Sequence, residues 1–306
     1  MRVGTRGSAL ALAQAGTVAA LLGPDAELVT VTTTGDRASA AGGSPAAPGA
    51  VNDKERWVKE LELALLSGDI DLAIHSAKDV PSVLPEGLEL VGAPARGNPF
   101  DALVGASSLG ALCAGARVGT ASLRRAAQLL ALREDLEVVV LRGNVDTRLR
   151  KLAAGDADAL LLAAAGLQRL GREAAIGCVL DALVPAPGQG TLVLEARAGD
   201  EAAAAAARAI TDPPAWDALL AERACVARLD ASCNTPLGVH ALVGDGDDGR
   251  AIVMRTFVGL PDGSAWLRDE TPPRATPEQA GELAAERLLA AGGGALLARA
   301  EAVAAP

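Results

Sequence analysis

The sequence predicts an α/β protein with a smaller α+β region at its C-terminus. Strand-like runs alternate with helical patterns along the first two thirds of the 306 residues, which is typical of largely parallel sheets with flanking helices. This alternation stops at "TDPPAW" (211–216). Half of the residues are apolar and only 2% are aromatic, so we expect a large aliphatic core. The length favours two or three domains.

The first elements are read in chain order. "RVGT" is a strand that leads into the helical "SALALAQAGTVAALL", and the strand "ELVTVTTTGD" ends in a turn. "RWVKELELALLSG" places Trp57, Leu61, Ala64 and Leu65 on one helical face. "IDLAIHSAKDVP" is a strand that runs into a polar loop. Segment 38–53, rich in Gly, Ala and Pro, predicts a mobile surface loop that is either a lid or disordered.

Three further strand–loop–helix patterns follow: "ARVGTASLRRAAQLLAL", "LEVVVLRGNVDTRLRKLAAG" and "ADALLLAAAGLQRLG". After residues 211–216 the pattern changes to one helix, strand-like runs with Gly/Asp turns over 239–269, and a last helix over 277–291. This change predicts a small α+β C-terminal domain.

Charge and hydropathy narrow the class of protein. The formal net charge of −10 argues against non-specific binding to nucleic acid or to an anionic membrane. The N-terminus lacks the long apolar run and cleavage site of a signal peptide, and charged residues recur too often for a membrane span. We therefore expect a cytoplasmic protein with neither nucleic acid nor membrane as a partner.

The cysteines show no CxxC or His-paired metal spacing, so we expect free thiols and no metal site. They are Cys113, Cys178, Cys225 and Cys233. Cys233 lies between Ser232 and Asn234, in a stretch of turn-forming residues that predicts a loop. An accessible thiol there indicates either a chemical role or an exposed structural cysteine. His75 and His240 have no metal-ligand spacing, and we assign neither a metal role.

Polar side chains recur where a predicted strand ends and a helix begins. In open α/β sheets ligands bind at the carboxyl ends of strands, and helix N-termini and arginines favour anions. At a single junction, a serine that caps the helix and arginines in solvent are the simpler interpretation. Four similar junctions favour a cleft for a polyanion. The residues are Thr5, Arg6, Ser8, Ser76, Lys78, Asp79, Thr120, Ser122, Arg124, Arg125, Arg142, Asn144 and Arg148.

Asp79 is the acid among these cations. Beside Lys78 it could form an ordinary surface ion pair of little energetic value. A carboxylate in an anion cleft would oppose binding, so a role in stabilising a positive charge that develops during a reaction is the alternative.

Eight segments occur in the order found in the porphobilinogen deaminase family, also called hydroxymethylbilane synthases, which the chain resembles from residue 2 to about 240. They are "GTRGSALALAQ", "TTGD", "VKELELALLSGDIDLAIHSAKDVP", "GTASLRRAAQL", "LRGNVDTRLRKL", "AAAGLQRLG", "PAPGQG" and "ERACVARLDASCNTPLG".

The resemblance implies three domains. Two are similar to type II periplasmic-binding-protein domains with mixed, largely parallel sheets, and the third is a small α+β domain that carries the cysteine. By resemblance, domain 1 covers 1–95 and 190–210 with a lid loop at 38–56, domain 2 covers 99–186, and domain 3 covers 213–306.

The resemblance also implies a reaction. Family members are transferases that join four porphobilinogen molecules head to tail, release ammonia at each step and free 1-hydroxymethylbilane with water, in heme biosynthesis. The primer is a dipyrromethane cofactor bound through a thioether to a loop cysteine, which Cys233 matches. Acetate and propionate groups on every ring would account for a cationic cleft in an acidic protein. The family is typically monomeric, and we expect a monomer.

Site residues follow from the same motifs. Asp79 matches the catalytic aspartate, which would stabilise the cation left by loss of ammonia. Arg6, Arg142, Arg169 and Gln189 match substrate-binding positions. The matching cofactor-binding positions are Cys233, Ser8, Lys78, Asp79, Thr120, Ser122, Arg124, Arg125, Gly143 and Arg148.

The chain departs from the family pattern in two loops. "NDKE" (52–55) replaces a glycine-rich run but keeps Lys54, Ala50 replaces a frequent lysine, and Trp57 replaces a phenylalanine. "DASC" (230–233) replaces "EGGC" or "EAGC", which narrows the backbone options before the thiol.

Two alternatives stay open at this point. A non-catalytic two-lobed binding protein for a polycarboxylate would explain the cleft but neither Cys233 nor Asp79. A degenerate family member with a regulatory role would not be expected to keep Asp79, Arg124, Arg125 and Cys233.

Overall fold

The computed structural model describes residues 1–33, 55–231, 235–246 and 249–304. The chain forms two compact units. Unit 1 comprises Met1–Gly97 and Thr191–Leu219, and unit 2 comprises Asn98–Gly190 and Leu220–Pro306. The chain therefore leaves unit 1 after Gly97 and returns to it at Thr191.

Unit 1 contains a five-stranded sheet in the order β2-β1-β3-β10-β4. Strand β1 is parallel to β2 and β3, and β10 is antiparallel to β3 and β4. The strands are β1 (Arg2–Arg6), β2 (Glu27–Val31), β3 (Leu72–Ser76), β4 (Leu88–Gly92) and β10 (Leu192–Arg197).

Helices cover this sheet with small and aliphatic side chains. One core cluster packs Val3, Leu72 and Leu194 against Ala15 and Ala207. A second cluster contains Leu61, Leu65, Ile70, Ala73 and Leu88. The helices are α1 (Ala9–Leu22), α2 (Glu55–Leu66), α6 (Glu201–Ala209) and α7 (Pro213–Leu229), the last of which ends in unit 2.

Unit 2 contains a second five-stranded sheet of the same kind, in the order β7-β6-β8-β5-β9. Strand β6 is parallel to β7 and β8, and β5 is antiparallel to β8 and β9. Its strands and helices are β5 (Asp101–Val104), β6 (Arg117–Gly119), α3 (Leu123–Leu132), β7 (Glu137–Val139), α4 (Val145–Ala153), β8 (Ala159–Ala163), α5 (Ala164–Arg169) and β9 (Ile176–Leu180).

The C-terminal part of unit 2 is an antiparallel sheet with two helices. The strand order is β11-β12-β13. The elements are β11 (Leu237–Gly246), β12 (Gly249–Gly259), β13 (Trp266–Glu270), α8 (Pro277–Ala290) and α9 (Gly293–Ala304).

The predicted fold class is confirmed: two mixed α/β sheets, each with a parallel set of three strands, and a small α+β C-terminal part. The prediction of one last helix over 277–291 was incomplete, because α9 follows after Gly292, whose φ of +92° ends α8. The three-domain division stays a prediction. Residues 38–54 of the predicted lid loop (38–56) lie outside the described residues. Among the described helices, none has the length and apolar character that crossing a bilayer demands.

Candidate functional site

An Arg–Asp ion pair joins the amino ends of two parallel strands in each unit. In unit 1, Arg2 at the start of β1 donates to Asp71, just before β3, from its backbone N at 2.7 Å and from its guanidinium at 2.6 Å. In unit 2, Arg117 at the start of β6 makes the same two contacts with Asp158, just before β8, at 2.7 Å and 3.0 Å. The predicted site residues at the strand–helix junctions lie at the opposite edges.

At the carboxyl end of β1, polar side chains organise the start of α1. The Thr5 hydroxyl is buried and donates to the carbonyl of Ala11 at 3.2 Å, and Ser8 caps the helix by accepting from the Ala11 N–H at 3.3 Å. Arg6 is half-buried at the end of the strand. Ser8 is therefore a helix N-cap at the strand edge where an anion is expected.

The neighbouring junction is a 3-10 turn, Ala77–Asp79, directly after β3. Ala77 and Val80 are buried in a cluster with Val193, and the Ala77 N–H donates to the Thr191 carbonyl at 3.0 Å. These contacts leave Lys78 and Asp79 half-buried. Within the described residues, no hydrogen bond or ion pair engages the Asp79 carboxylate.

A buried His–Glu pair lies in the same sheet. His75 Nε2 is 2.9 Å from Oε2 of Glu195 on β10, and both side chains are almost completely buried. Within the described part of the chain, Glu195 Oε1 has no hydrogen-bond partner. Because a buried polar group needs a partner, each side chain of this pair supplies a hydrogen-bond partner to the other. Sequence reasoning missed Glu195.

In unit 2, three junctions lie at one edge because β6, β7 and β8 are parallel. Thr120 accepts from the Ser122 N–H at 3.1 Å, and Ser122 caps α3 by accepting from the Arg125 N–H at 3.4 Å. Asn144 caps α4 by accepting from the Thr147 N–H at 2.9 Å. Two helix N-termini thus begin at this edge, where their free N–H groups favour anions.

Gly143 precedes the cap of α4 with a φ of +122°, a conformation that favours glycine. A Cβ atom at this position would lie 2.7 Å from Thr147 Cγ2. Gly143 and Arg142 are both exposed. The turn between Arg142 and the start of α4 therefore requires glycine at position 143.

Arg124 and Arg125 are buried on Asp101, a residue that sequence reasoning missed. Arg124 donates to Asp101 Oδ2 at 2.7 Å, and Arg125 Nε donates to Oδ1 at 2.9 Å. Asp101 is the first residue of β5 and lies opposite Ala163, the last residue of β8, so it reaches the carboxyl edge. All three side chains are less than 10% exposed. The predicted cation pair is therefore held inside the unit, and two guanidinium groups share one carboxylate.

The two arginines hold the pKa of Asp101 far below its ordinary value of 3.8, against the opposing effect of burial. Burial lowers the pKa of Arg124. For a carboxylate with a lowered pKa, the stabilisation is present above the ordinary value and is lost as pH falls below it. The cluster therefore keeps its ion pairs at neutral pH and carries a net positive charge.

Arg148 adds a cation without a counterion among the described residues. Burial, followed by repulsion from Arg125 and Arg142, lowers its pKa from 12.5 to about 10. Its Nε atom is buried without a hydrogen-bond partner in the described residues. The carboxyl edge of unit 2 thus has more cationic groups than acids to balance them, and an anion would relieve the repulsion.

Arg169 and Gln189 are tied to the segment where the chain leaves unit 2. Arg169 donates to the Gly190 carbonyl at 2.6 Å, and burial lowers its pKa. The Gln189 amide donates to the Pro99 carbonyl at 2.7 Å and to Asp101 Oδ1 at 2.9 Å. Gln189 thus joins the two ends of the stretch Asn98–Gly190 of unit 2.

Comparison with known proteins decides the family. The family model "Porphobilinogen deaminase, dipyromethane cofactor binding domain" matches residues 1–205, and "Porphobilinogen deaminase, C-terminal domain" matches residues 216–290. The chain belongs to the porphobilinogen deaminase family. The porphobilinogen deaminase of Rubrobacter xylanophilus is 45% identical over 302 residues, which cover 96% of this chain and 95% of the relative. That of Roseiflexus castenholzii is 48% identical over 253 residues, covering 81% and 82%.

Among solved structures, the methionine-binding protein MetQ aligns with a TM-score of 0.44 and 17% identity, covering 71% of this chain and 91% of that one. This likeness is too distant to add to the assignment. Membership of the porphobilinogen deaminase family does not favour the alternative of a non-catalytic binding protein.

The predicted attachment point of a family cofactor, Cys233, lies outside the described residues together with Ser232 and Asn234. The other cysteines are described. Burial raises the pKa of Cys225 to about 12 and also raises that of Cys178, while Cys113 is exposed. Because a thiolate is the reactive form, Cys225 and Cys178 are poor nucleophiles.

A further buried acid that sequence reasoning missed is Glu222 of α7. Its Oε2 accepts from the Gly188 N–H at 2.6 Å and its Oε1 from the Ala241 N–H at 2.8 Å. Glu222 therefore ties the "PAPGQG" segment of the porphobilinogen deaminase pattern to strand β11.

Proposed function

We propose that the chain polymerises four porphobilinogen molecules head to tail on a dipyrromethane primer held by Cys233, releasing ammonia to give 1-hydroxymethylbilane. The observation that carries this proposal is the excess of positive charge at the carboxyl edge of unit 2. Arg124 and Arg125 share one carboxylate, and Arg148 has no counterion among the described residues. Such an edge suits a ligand with several carboxylates.

The cationic residues at the carboxyl edge of unit 2 fit a dipyrromethane, whose rings carry acetate and propionate groups. When bound, the group supplies a pyrrole with a free α-carbon as the acceptor for the next unit. Arg148 can form direct ion pairs, whereas Arg124 and Arg125 add positive charge from behind Asp101. The residues proposed to hold the group are Cys233, Ser8, Lys78, Asp79, Thr120, Ser122, Arg124, Arg125, Gly143 and Arg148.

For porphobilinogen itself we propose Arg6, Arg142, Arg169 and Gln189. Arg142 is exposed and Arg6 half-buried, so both can present a guanidinium to a substrate carboxylate. Arg169 and Gln189 hold the backbone at Gly190 and Pro99 and would act by positioning that segment.

Asp79 is proposed as the catalytic acid–base residue. Loss of ammonia leaves positive charge on the substrate, and a nearby carboxylate stabilises that charge and moves a proton. Asp79 is suited to this role because no described residue neutralises it and the 3-10 turn holds it in place.

Intact mass spectrometry tests the proposal. Purified protein should exceed its sequence mass by one dipyrromethane, and Cys233→Ser should lose both the excess mass and turnover. Cys113→Ser is the matched control, since it removes an exposed thiol elsewhere and should change neither. An active preparation without the adduct would refute the proposal.

We also propose three domains with the predicted boundaries and a monomer in the cytoplasm. Light scattering coupled to gel filtration should give the mass of one chain, 30.6 kDa plus the adduct. A dimer mass over the working concentration range would contradict the monomer.

A further inference from the structure

Every oxygen of the Asp101 carboxylate is in use. Oδ2 accepts from Arg124 at 2.7 Å, while Oδ1 accepts from Arg125 Nε and from the Gln189 amide, both at 2.9 Å. The side chain is completely buried. A buried carboxylate with three donors, two of them cationic, is rigidly held because breaking either arginine contact leaves a buried guanidinium group without its counterion.

Each partner of Asp101 also binds a different backbone segment. Arg124 donates to the Val184 carbonyl at 2.7 Å, and Arg125 donates to the Leu161 carbonyl at 3.1 Å. Gln189 donates to the Pro99 carbonyl at 2.7 Å. One carboxylate therefore connects the first turn of α3, the middle of β8 at Leu161 and the segments around Val184 and Pro99.

These connections end at the cationic edge. Arg125 is in the first turn of α3, where its backbone N–H donates to Ser122, and its charge is one of the two that lower the pKa of Arg148. A shift of Arg125 would change both the helix N-terminus and the potential at Arg148.

We propose that Asp101 is a positioning residue for the reaction: it fixes the Arg124–Arg125 pair and, through them, the N-terminus of α3 and the charge around Arg148 that receive ligand carboxylates. The inference rests on the proposed function and deepens it. Asp101 does not touch the ligand; it determines where the ligand-binding groups are.

Asp101→Asn removes the charge and keeps the shape. With the counterion gone, two buried arginines repel each other and Arg148. In the folded protein we expect a lower fraction carrying the dipyrromethane adduct. In the adduct-bearing fraction we expect a KM for porphobilinogen raised roughly tenfold or more, with kcat changed less, because an edge that binds carboxylates is misplaced.

Asp158→Asn is the matched control. It removes the Asp from an Arg–Asp pair at the opposite edge of the same sheet, where both side chains are exposed. Its adduct fraction and KM should stay within about twofold of wild type, as is usual for exposed ion pairs. Circular dichroism and thermal unfolding establish which variants are folded, and only folded protein is compared.

Should Asp101→Asn not fold, Asp101→Glu keeps the charge but moves the oxygens by one methylene. A raised KM in folded Asp101→Glu supports positioning, because the charge balance is unchanged. A KM within twofold of wild type, in folded Asp101→Asn or in Asp101→Glu, would overturn the inference while the wild type still carries its adduct. A wild type with neither adduct nor turnover would overturn the proposed function and this inference together.

Discussion

The sheets of the two units are alike at their amino edges and differ in their charged groups at their carboxyl edges. Arg2–Asp71 and Arg117–Asp158 are equivalent pairs at the amino edges. At the carboxyl edge of unit 1 the Asp79 carboxylate has no partner in the described residues, whereas the equivalent edge of unit 2 has arginines that outnumber their acid.

This difference indicates that the two edges of the same sheet topology have different roles. The amino edges are neutralised locally and serve the fold. The carboxyl edges keep charged groups that the described residues do not neutralise: the Asp79 carboxylate in unit 1 and surplus arginine charge in unit 2. Since unbalanced charge in a partly buried place costs stability, its presence favours a role in binding or catalysis over a role in folding.

The largest expected effect comes from removing the charge of the Asp79 carboxylate in unit 1. Asp79→Asn should lower kcat by about 10²- to 10⁴-fold, the usual contribution of a general acid–base residue, and should keep the adduct. Steady-state kinetics and intact mass measure the two quantities. Asp71→Asn, at the amino edge of the same sheet, should leave kcat within about twofold. Near-normal turnover of Asp79→Asn would contradict the proposal that the carboxyl edge of this sheet serves catalysis and its amino edge serves the fold.

Removing one cation from unit 2 should have the next largest effect. Arg148→Gln should reduce the adduct-bearing fraction and raise KM for porphobilinogen by roughly tenfold, because one charge-assisted contact is lost. Arg150→Gln, an exposed arginine on the same helix, is the matched control and should behave as wild type. Equal losses in both variants would mean that net charge, and not the position of Arg148, determines binding.

Arg148→Gln, which should weaken ligand binding, should increase the stability of protein without the adduct. In the Cys233→Ser background, Arg148→Gln should raise the free energy of unfolding by on the order of 1 to 3 kcal/mol at neutral pH, measured by urea denaturation. The reason is that the folded state lowers the pKa of Arg148 to about 10, so its protonated form favours the unfolded chain.

This penalty is fully present below pH 10 and is relieved only as pH rises from about 10 towards the ordinary value of 12.5. Arg150→Gln in the same background serves as control. A destabilising Arg148→Gln would indicate that Arg148 already has a counterion in the folded chain.

The smallest effect is expected at the amino edge of unit 2. Asp158→Asn should cost less than about 1 kcal/mol of stability, as measured for exposed ion pairs, and should not change turnover. If Asp158→Asn lost as much stability or turnover as Asp101→Asn, the two edges of this sheet would not differ in function as proposed.

Much of the fold and part of the candidate site could be predicted from the sequence. Ser8, Ser122 and Asn144 could be found because an N-cap directly precedes its helix and therefore has a local signature. Asp79 could be singled out as an acid among cations. These are short-range signals, and the structure has each of them at a strand end.

Long-range pairing could not be predicted. Asp101 meets Arg124 and Arg125 across the sheet, and Glu195 meets His75 across 120 residues, so no local pattern reports either contact. The sequence signal that could have identified Asp101 was an acidic residue inside the apolar run "PFDALV". The arginines were expected at a cleft surface. They are buried because they share the packed face of α3 with Gln128, whose amide holds Val184.

The position of β10 has a consequence for the order in which the chain is assembled. This strand lies between β3 and β4 in the sheet of unit 1, yet it is synthesised after residues 98–190. The five strands of the other sheet come from one continuous stretch. On a ribosome, we expect the second five-stranded sheet to form before β10 is available to pair with β4, so the unit that begins the chain completes its sheet only after that second sheet.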